Sequence, residues 1–264
     1  MKNNKNQEVW HLKLASKSIK KLQKLKTLSS IIPDCVGKNC IEIGAEKGIV
    51  TYFLRNEKKG RWFAGIIDHK YVPISKELLV EDVVAINPEK LQFEDSTFDI
   101  ILASRPEHIA KDELFFKEIL RILKDDGQLY VISPHTGKGM FLNNLKNIVG
   151  LTMEQYGHFR EGYSLAELDK ILSQIGFETF LKGSYSKIFS ESIELFLNAL
   201  YSFAKKKKHK SSSYRPTTEA EFKETGFIFN LYKIAFPVLL FIASLDIILP
   251  FTRGYVLYLG ARKG

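Results

Sequence analysis

The feature of this sequence that most constrains its fold is an alternation of short apolar stretches with helical patterns, which begins after Gly37. The apolar stretches, rich in β-branched residues, lie at 40–43, 62–67, 83–86, 98–103 and 128–132. The helical patterns lie between them at 49–56, near 74–79 and at 111–123. Strands that alternate with helices are typical of a parallel sheet with helices on both faces. We therefore predict an α/β fold of the Rossmann-like, doubly wound kind.

The second half of the chain is less regular. A helix is predicted to begin after Ser164 and to end at Gly176, where a strand follows. The segment 254–264 is predicted to form the last strand of a mostly parallel, seven-stranded sheet. Between these two strands lies an apolar helical insert. The predicted boundaries are 37–188 plus 252–264 for the main domain, 189–251 for the insert and 1–36 for an N-terminal region.

The N-terminal region contains a basic amphipathic pattern. Over residues 12–28, apolar side chains recur at helical spacing, and between them lie lysines that include Lys13, Lys17, Lys20, Lys21 and Lys24. The pattern predicts one helix that covers the sheet and exposes its lysines to solvent. The alternative is a helix that contacts an anionic membrane surface.

A glycine-containing turn follows the first predicted strand, in the sequence EIGAEKG of residues 42–48. Glycine lets a backbone turn sharply and approach a ligand without a Cβ in the way. The second predicted strand is followed by Asp68, 20 residues after Gly48. A carboxylate at that place can accept hydrogen bonds from both hydroxyls of a ribose. Together the two features indicate a nucleotide-like cofactor.

A third block identifies a family. LQFEDSTFDIILASRPEHI (91–109) and ELFFKEILRILKDDGQLYVISP (113–134) closely resemble the middle of the class I S-adenosylmethionine (SAM)-dependent methyltransferases of the type 11 group. The matching positions are Leu91, Phe93, Phe98, Asp99, Glu107, His108, Arg121, Leu123, Lys124 and Gly127. The resemblance covers residues 37–134 well and 155–180 more loosely. It implies a methyltransferase that uses SAM as its cofactor.

The resemblance also implies which residues contact the cofactor. They are Glu42, Gly44, Ala45, Glu46 and Gly48 in the first turn, Asp68 and His69 after the second strand, Asn87 after the third, and Ser104 at the fourth. Two positions depart from the family pattern. Glu46 replaces the middle glycine of the first turn, and Asn87 stands where an aspartate usually accepts from the adenine amino group. The carboxylate of Glu46 is expected either to point away from the pocket or to meet the cofactor's amino group.

A methyl acceptor that loses a proton needs a base within hydrogen-bond reach. The candidates are His108 in the family block and His158 in a His-x-Arg segment similar to one that these enzymes place over the active site. Arg160 in the same segment is a candidate for binding an acidic or phosphorylated acceptor. For His108 a structural role in packing or capping is the favoured alternative, and for His158 a structural role is an equal one.

The charge and the insert bear on the acceptor. The formal net charge of +9 favours an anionic partner such as a membrane surface, a nucleic acid or a phosphorylated substrate. Residues 227–251 approach the roughly 20 apolar residues that span a bilayer. A single crossing would separate the last strand from its sheet, so an interfacial element or a lid is expected, kinked or ended by Pro237 and Pro250. Lys205–Lys208 and Lys210 could lie at anionic headgroups.

These observations favour a small or lipid-like acceptor, methylated at oxygen or carbon by a cytoplasmic protein that could associate with a membrane. The rival interpretations are a catalytically decayed binding protein and an NAD(P)-dependent short-chain oxidoreductase, for which Tyr201 and Lys205 supply a YxxxK motif. A nucleic-acid methyltransferase is disfavoured because residues 104–107 lack an Asn-Pro-Pro-aromatic motif. With Cys35 and Cys40 as the two cysteines, neither a disulfide framework nor a metal site is expected.

Overall fold

A computed structural model describes residues 10–137, 139–148, 159–206, 226–249 and 252–264. Its strands are β1 (Asn39–Ile43), β2 (Arg61–Ile66), β3 (Val83–Ala85), β4 (Phe98–Ser104), β5 (Leu123–Pro134), β6 (Phe177–Tyr185) and β7 (Val256–Lys263). They form one seven-stranded sheet in the order β3-β2-β1-β4-β5-β7-β6. Strands β1 to β5 run parallel, and β7 pairs antiparallel with both β5 and β6. The predicted doubly wound, mostly parallel sheet is confirmed.

Helices cover both faces of this sheet. They are α1 (Trp10–Ala15), α2 (Ile19–Ile31), α3 (Ile49–Lys58), α4 (Val72–Leu79), α5 (Asp112–Ile122), α6 (Phe141–Ile148), α7 (Leu165–Ile175), α8 (Ile188–Lys206) and α9 (Gly226–Ser244). Successive strand residues point to opposite faces, so Ile100 packs with α2 and α3 while Ile101 packs with α5 and α7. Three short 3₁₀ turns lie at His69–Tyr71, Pro106–His108 and Leu245–Ile248.

The N-terminal prediction was wrong in one respect. The pattern over 12–28 forms two helices, α1 and α2, rather than one. Ser18 begins the second helix, because its hydroxyl accepts a hydrogen bond from the backbone N–H of Lys21 at 3.4 Å. A serine that caps a helix N-terminus competes with continuation of the preceding helix.

The helix predicted after Ser164 is confirmed with both of its ends. Ser164 and Glu167 form a capping box, in which each side chain bonds to the other's backbone N–H. Gly176 ends the helix in the left-handed conformation, with φ of 113°. Because β6 follows directly, this helix fixes the edge of the sheet.

The insert consists of α8, α9 and the 3₁₀ turn that follows α9. Pro237 lies inside α9 and does not end it, so of the two predicted effects, a kink or an end, only a kink stays a prediction. Asp246 in the 3₁₀ turn accepts from the backbone N–H groups of Lys187 and Phe189, both at 2.9 Å, and so joins the end of the insert to its beginning. After the insert the chain enters β7, which pairs with β5, so the last strand returns to the sheet as predicted.

No helix in the described ranges is long and apolar enough to cross a membrane. The predicted roles of Lys207, Lys208, Lys210 and Pro250 concern residues outside those ranges.

Candidate cofactor and acceptor site

The sheet reverses its strand order between β1 and β4, and a doubly wound sheet binds ligands in the crevice at such a point. Gly44 follows β1 there with φ of +85°, and a Cβ at this residue would lie 1.9 Å from the carbonyl oxygen of Ser104. Only glycine therefore lets the ends of β1 and β4 approach this closely. Gly48 also has a positive φ, and a Cβ there would lie 2.8 Å from Leu79.

The loop between β1 and α3 is held by two hydrogen bonds, one buried and one partly buried. Glu42 is buried at the end of β1, and its carboxylate accepts from the hydroxyl of Thr51 at 2.6 Å. The hydroxyl of Ser75 donates to the backbone oxygen of Glu46 at 2.8 Å. The loop is thus attached to both α3 and α4, which gives it a fixed shape at the crevice.

The polar residues after β2 and β3 lie at the exposed rim of the crevice. Asp68 begins the 3₁₀ turn, accepts from the backbone N–H of Lys70 at 3.3 Å and forms an ion pair with the same residue's ammonium. His69 is exposed beside it. Asn87 is exposed, and its side-chain oxygen accepts from the N–H of Glu89 at 3.0 Å. Their predicted contacts with ribose and adenine stay predictions.

Glu46 forms an ion pair with Arg105, the residue that follows β4. The guanidinium of Arg105 also hydrogen-bonds to the ring of His108. Arg105 has a left-handed backbone with φ of 66°, which is uncommon for a residue other than glycine. Glu46, which departs from the family pattern, therefore has a charged partner on the opposite side of the crevice.

The histidines proposed as bases have different surroundings. The ring of His108 is engaged by Arg105, and His158 lies outside the described residues. His135 at the end of β5 is buried against the carbonyl oxygen of Gly254 at 2.8 Å, and burial lowers its pKa. The catalytic roles of His108 and His158 stay predictions.

The residue after Pro106 provides a buried carboxyl group beside the crevice, which the sequence did not single out as a catalytic candidate. Glu107 is 2% exposed, and its carboxylate accepts from the hydroxyl of Ser133 at 2.9 Å and lies 3.9 Å from the ring of His108. Burial raises the pKa of Glu107, and the nearby charges of Arg105 and Lys24 offset only part of that rise. Glu107 is one of the positions that match the family block, but nothing in the sequence indicated that it is buried.

Helix α2 contributes two lysines to this region. The ammonium of Lys24 donates to the hydroxyl of Ser104 at 3.2 Å, at the end of β4. One turn earlier, Lys20 pairs at 3.0 Å with Glu191 of α8, which is fully buried. The sequence could not single out these two lysines, because the helix pattern contains several at similar positions.

Glu191 has a second role beside the end of β6. Its carboxylate accepts from the hydroxyl of Ser186 at 3.1 Å. Tyr185 is half-buried at the last position of β6, and burial together with the charges of Glu191 and Glu107 raises the pKa of its hydroxyl. The carboxyl ends of β4, β5 and β6 thus bring two buried carboxyl groups and a phenol into one region.

Arg160 is held by neighbours of its own. Its guanidinium donates to the carboxylate of Asp112 at 2.6 Å, pairs with Glu167 and lies 3.8 Å from the centre of the Tyr163 ring. These contacts connect the segment before α7 to the start of α5. Binding of an acceptor by Arg160 stays a prediction.

Comparison with known proteins decides the family. Residues 41–131, which contain β1 to β4, the crevice loop and Glu107, match the family model described as a methyltransferase domain. The chain carries a class I SAM-dependent methyltransferase domain. The protein is accordingly a SAM-dependent methyltransferase, and the interpretation as a short-chain oxidoreductase is not supported.

Solved structures share the methyltransferase fold at low sequence identity. A SAM-dependent methyltransferase from Thermotoga maritima is 17% identical, with a TM-score of 0.57, and the match covers 97% of this chain and 93% of that one. The YcgJ protein from Bacillus subtilis is 16% identical, with a TM-score of 0.52 and coverage of 94% and 99%. The [4+2]-cyclase SpnF is 16% identical, with a TM-score of 0.57 and coverage of 91% and 80%. These likenesses concern the fold, and the search of curated proteins found no match.

The residues at the crevice fit the cofactor that the family implies. The close approach of Gly44 to Ser104 leaves a cradle that a Cβ would fill, and Glu42 and Asp68 place carboxylates at its inner end and at its rim. Hydrogen-bond acceptors at such places suit the hydroxyls and the ammonium of SAM. SAM is therefore the cofactor of this methyltransferase.

Proposed function

We propose that the protein methylates an oxygen or carbon atom of a lipid-like acceptor at the surface of an anionic membrane. In this proposal SAM is held by the residues predicted from the family: Glu42, Gly44, Ala45, Glu46, Gly48, Asp68, His69, Asn87 and Ser104. The acceptor enters from the side of the insert, where α8 and α9 pack against α2.

The observation that carries the proposal is an exposed apolar surface on the insert, which we call the insert face. Ile234, Val238 and Phe241 follow one another at helical spacing on α9, and Ile234 is 78% exposed. Ile247 and Ile248 continue the surface into the 3₁₀ turn, and Ile247 is 81% exposed. Contiguous exposed apolar side chains of this kind mark sites of protein or membrane contact.

A cationic residue adjoins the insert face and favours a membrane over an uncharged partner. Lys233 is exposed beside Ile234 on α9. A lysine near an anionic membrane surface contributes about 1 kcal/mol to binding. The overall charge of +9 acts in the same direction.

SAM supplies an electrophilic methyl group carried on a sulfonium. The chain must hold the acceptor in line with that group and remove the acceptor's proton. We assign the proton to Glu107, which follows β4 at the crevice and lies 3.9 Å from the ring of His108, and whose burial favours the protonated carboxyl group. The hydroxyl of Ser133 keeps the carboxylate oriented. His108 and His158 are the alternative bases.

The acceptor class can be tested by following the label of methyl-radiolabelled SAM. We expect wild-type protein to move label into the chloroform-soluble fraction when it is given total membrane lipids of its source organism. Asp68→Ala, which removes the predicted ribose contact, should lose this transfer. Arg262→Gln is the matched control, because it removes an exposed ion pair with Glu178 at the far edge of the sheet. A water-soluble cell extract is supplied in parallel, and label that appears in its metabolites but not in the lipids would contradict the lipid-like acceptor.

A further inference from the structure

An ion pair bridges the two sides of the cofactor crevice. Glu46 lies in the loop after β1, and Arg105 directly follows β4, 59 residues later in the chain. Beneath them the backbones of Gly44 and Ser104 are in contact. The pair therefore lies at the point where the strand order reverses and where the methionine part of SAM is expected.

The pair is connected to the predicted ribose site. Tyr71 is half-buried close to both. Burial raises the pKa of its hydroxyl, the charges of Glu46 and Asp68 raise it further, and those of Lys70 and Arg105 offset part of the rise. Charged groups thus continue along the crevice from the rim at Asp68 to the end of β4. The side chains of Glu46 and Arg105 are 34% and 30% exposed, so a ligand can reach both.

The amino-acid end of SAM is a zwitterion, with a carboxylate and an ammonium on one carbon atom. We propose that Glu46 and Arg105 together bind this end, the guanidinium taking the carboxylate and the Glu46 carboxylate taking the ammonium. Their mutual ion pair is exchanged for two ion pairs with the ligand.

The exchange is favourable for physical reasons. A partly exposed ion pair contributes little to stability, so little is lost when it opens. A guanidinium binds a carboxylate through two parallel hydrogen bonds, which are among the stronger ones in proteins. The backbone N–H of Arg105 donates to the carbonyl oxygen of Ile132 at 3.2 Å, and the ring of His108 contacts its guanidinium. Arg105 is therefore held at both ends in front of the crevice.

Binding of two ligands separates this role from a structural one. S-adenosylhomocysteine keeps the amino-acid end, whereas 5′-methylthioadenosine lacks it and keeps the adenosine. By titration calorimetry, we expect Arg105→Met and Glu46→Gln each to lower the affinity for S-adenosylhomocysteine by about tenfold or more, because each removes one charge-assisted contact. Affinity for 5′-methylthioadenosine should stay within about twofold of wild type. Equal losses for both ligands would overturn the proposal.

A charge swap tests the same role in a protein that keeps its ion pair. Glu46→Arg combined with Arg105→Glu retains the bridge across the crevice but reverses its polarity. We expect this protein to unfold near the wild-type temperature, but to bind S-adenosylhomocysteine as weakly as the single variants do. Recovery of wild-type affinity would show that the ion pair only holds the loop after β1 to the segment after β4 and does not bind the ligand. Arg262→Gln, which breaks the exposed pair with Glu178, should leave both affinities unchanged.

The measurement needs no methyl acceptor, so it does not depend on the lipid-like substrate proposed above. If wild-type protein and the variants alike preferred S-adenosylhomocysteine over 5′-methylthioadenosine, the role of Glu46 and Arg105 would be overturned. The predicted cofactor site would stand. Wild-type protein that binds neither ligand would remove the predicted cofactor site, and this inference with it.

Discussion

At the scale of single residues, two glycines shape the crevice, and the ion pair of Glu46 with Arg105 crosses it. Gly44 and Gly48 were expected to allow a turn, and both have the positive φ that such a turn requires. The partner of Glu46 could not be predicted, because Arg105 is brought to it only by the pairing of β1 with β4. The burial of Glu107 depends likewise on tertiary contacts.

Glu107 should make stability depend on pH in a way that reveals its environment. Burial raises its pKa above the ordinary 4.5, so the folded protein holds this proton to higher pH than the unfolded chain does. The stability that Glu107 contributes is present below the unfolded pKa and is lost as pH rises through the folded pKa. Glu107→Gln escapes this loss, so its unfolding temperature should rise relative to wild type as the pH is raised from about 4.5, the ordinary value, towards neutrality.

Calorimetric scans across that range provide the measurement. Glu113→Gln is the control, because Glu113 is exposed on α5, and its curve should run parallel to that of wild type. A difference between Glu107→Gln and wild type that is constant, or that shrinks as pH rises, would contradict the buried environment of Glu107.

At the scale of elements, periodicity predicted β1 to β5 and the helices between them, because each apolar run is bounded by polar or glycine residues. The capped helix α7 was predicted from Ser164 and Gly176, whose side-chain and backbone chemistry is local. The break between α1 and α2 was missed, since a serine inside a helical pattern does not reveal whether it caps. The continuation of α9 through Pro237 depends on its packing in the insert.

The packing of α2 on α8 should depend on the ion pair of Lys20 with Glu191. Lys20→Met leaves the fully buried carboxylate of Glu191 without this cation, which typically costs about 3 kcal/mol or more for a buried pair. Unfolding in urea measures the loss, and Lys20→Met combined with Glu191→Gln should recover most of it. Lys26→Met, exposed on the same helix, should stay within about 0.5 kcal/mol of wild type. A Lys20→Met protein as stable as this control would contradict the role of the pair.

At the scale of the whole molecule, the cofactor domain and the insert place their chemistry on one side. The carboxyl ends of β4 and β5 lie beneath α2, and α2 shares an apolar cluster with α8 and α9, which includes Ile19, Ile193, Phe236 and Ala243. An acceptor bound through its apolar part at the insert would thus have its reactive atom near Glu107 and Ser104. The sequence predicted an apolar insert, but only the folded arrangement brings α2 between the insert and the crevice.

The insert face should bind anionic membranes through apolar contact supported by charge. We expect wild-type protein to sediment with phosphatidylcholine vesicles that contain phosphatidylglycerol, and to do so less in high salt, where surface charges are screened. Phe241→Asp and Ile247→Asp, on the insert face, should each weaken binding by about tenfold or more, since an apolar side chain of this size contributes about 1.5–3 kcal/mol on burial.

Val36→Asp is the matched control, because Val36 is equally apolar and 75% exposed but precedes β1, away from the insert. Its sedimentation should equal that of wild type. If it lost binding as the insert variants do, the effect would come from net charge rather than from a defined face. If wild-type protein failed to sediment at both low and high salt, the membrane would be excluded as the place of the reaction, and the insert face would have to serve a different partner.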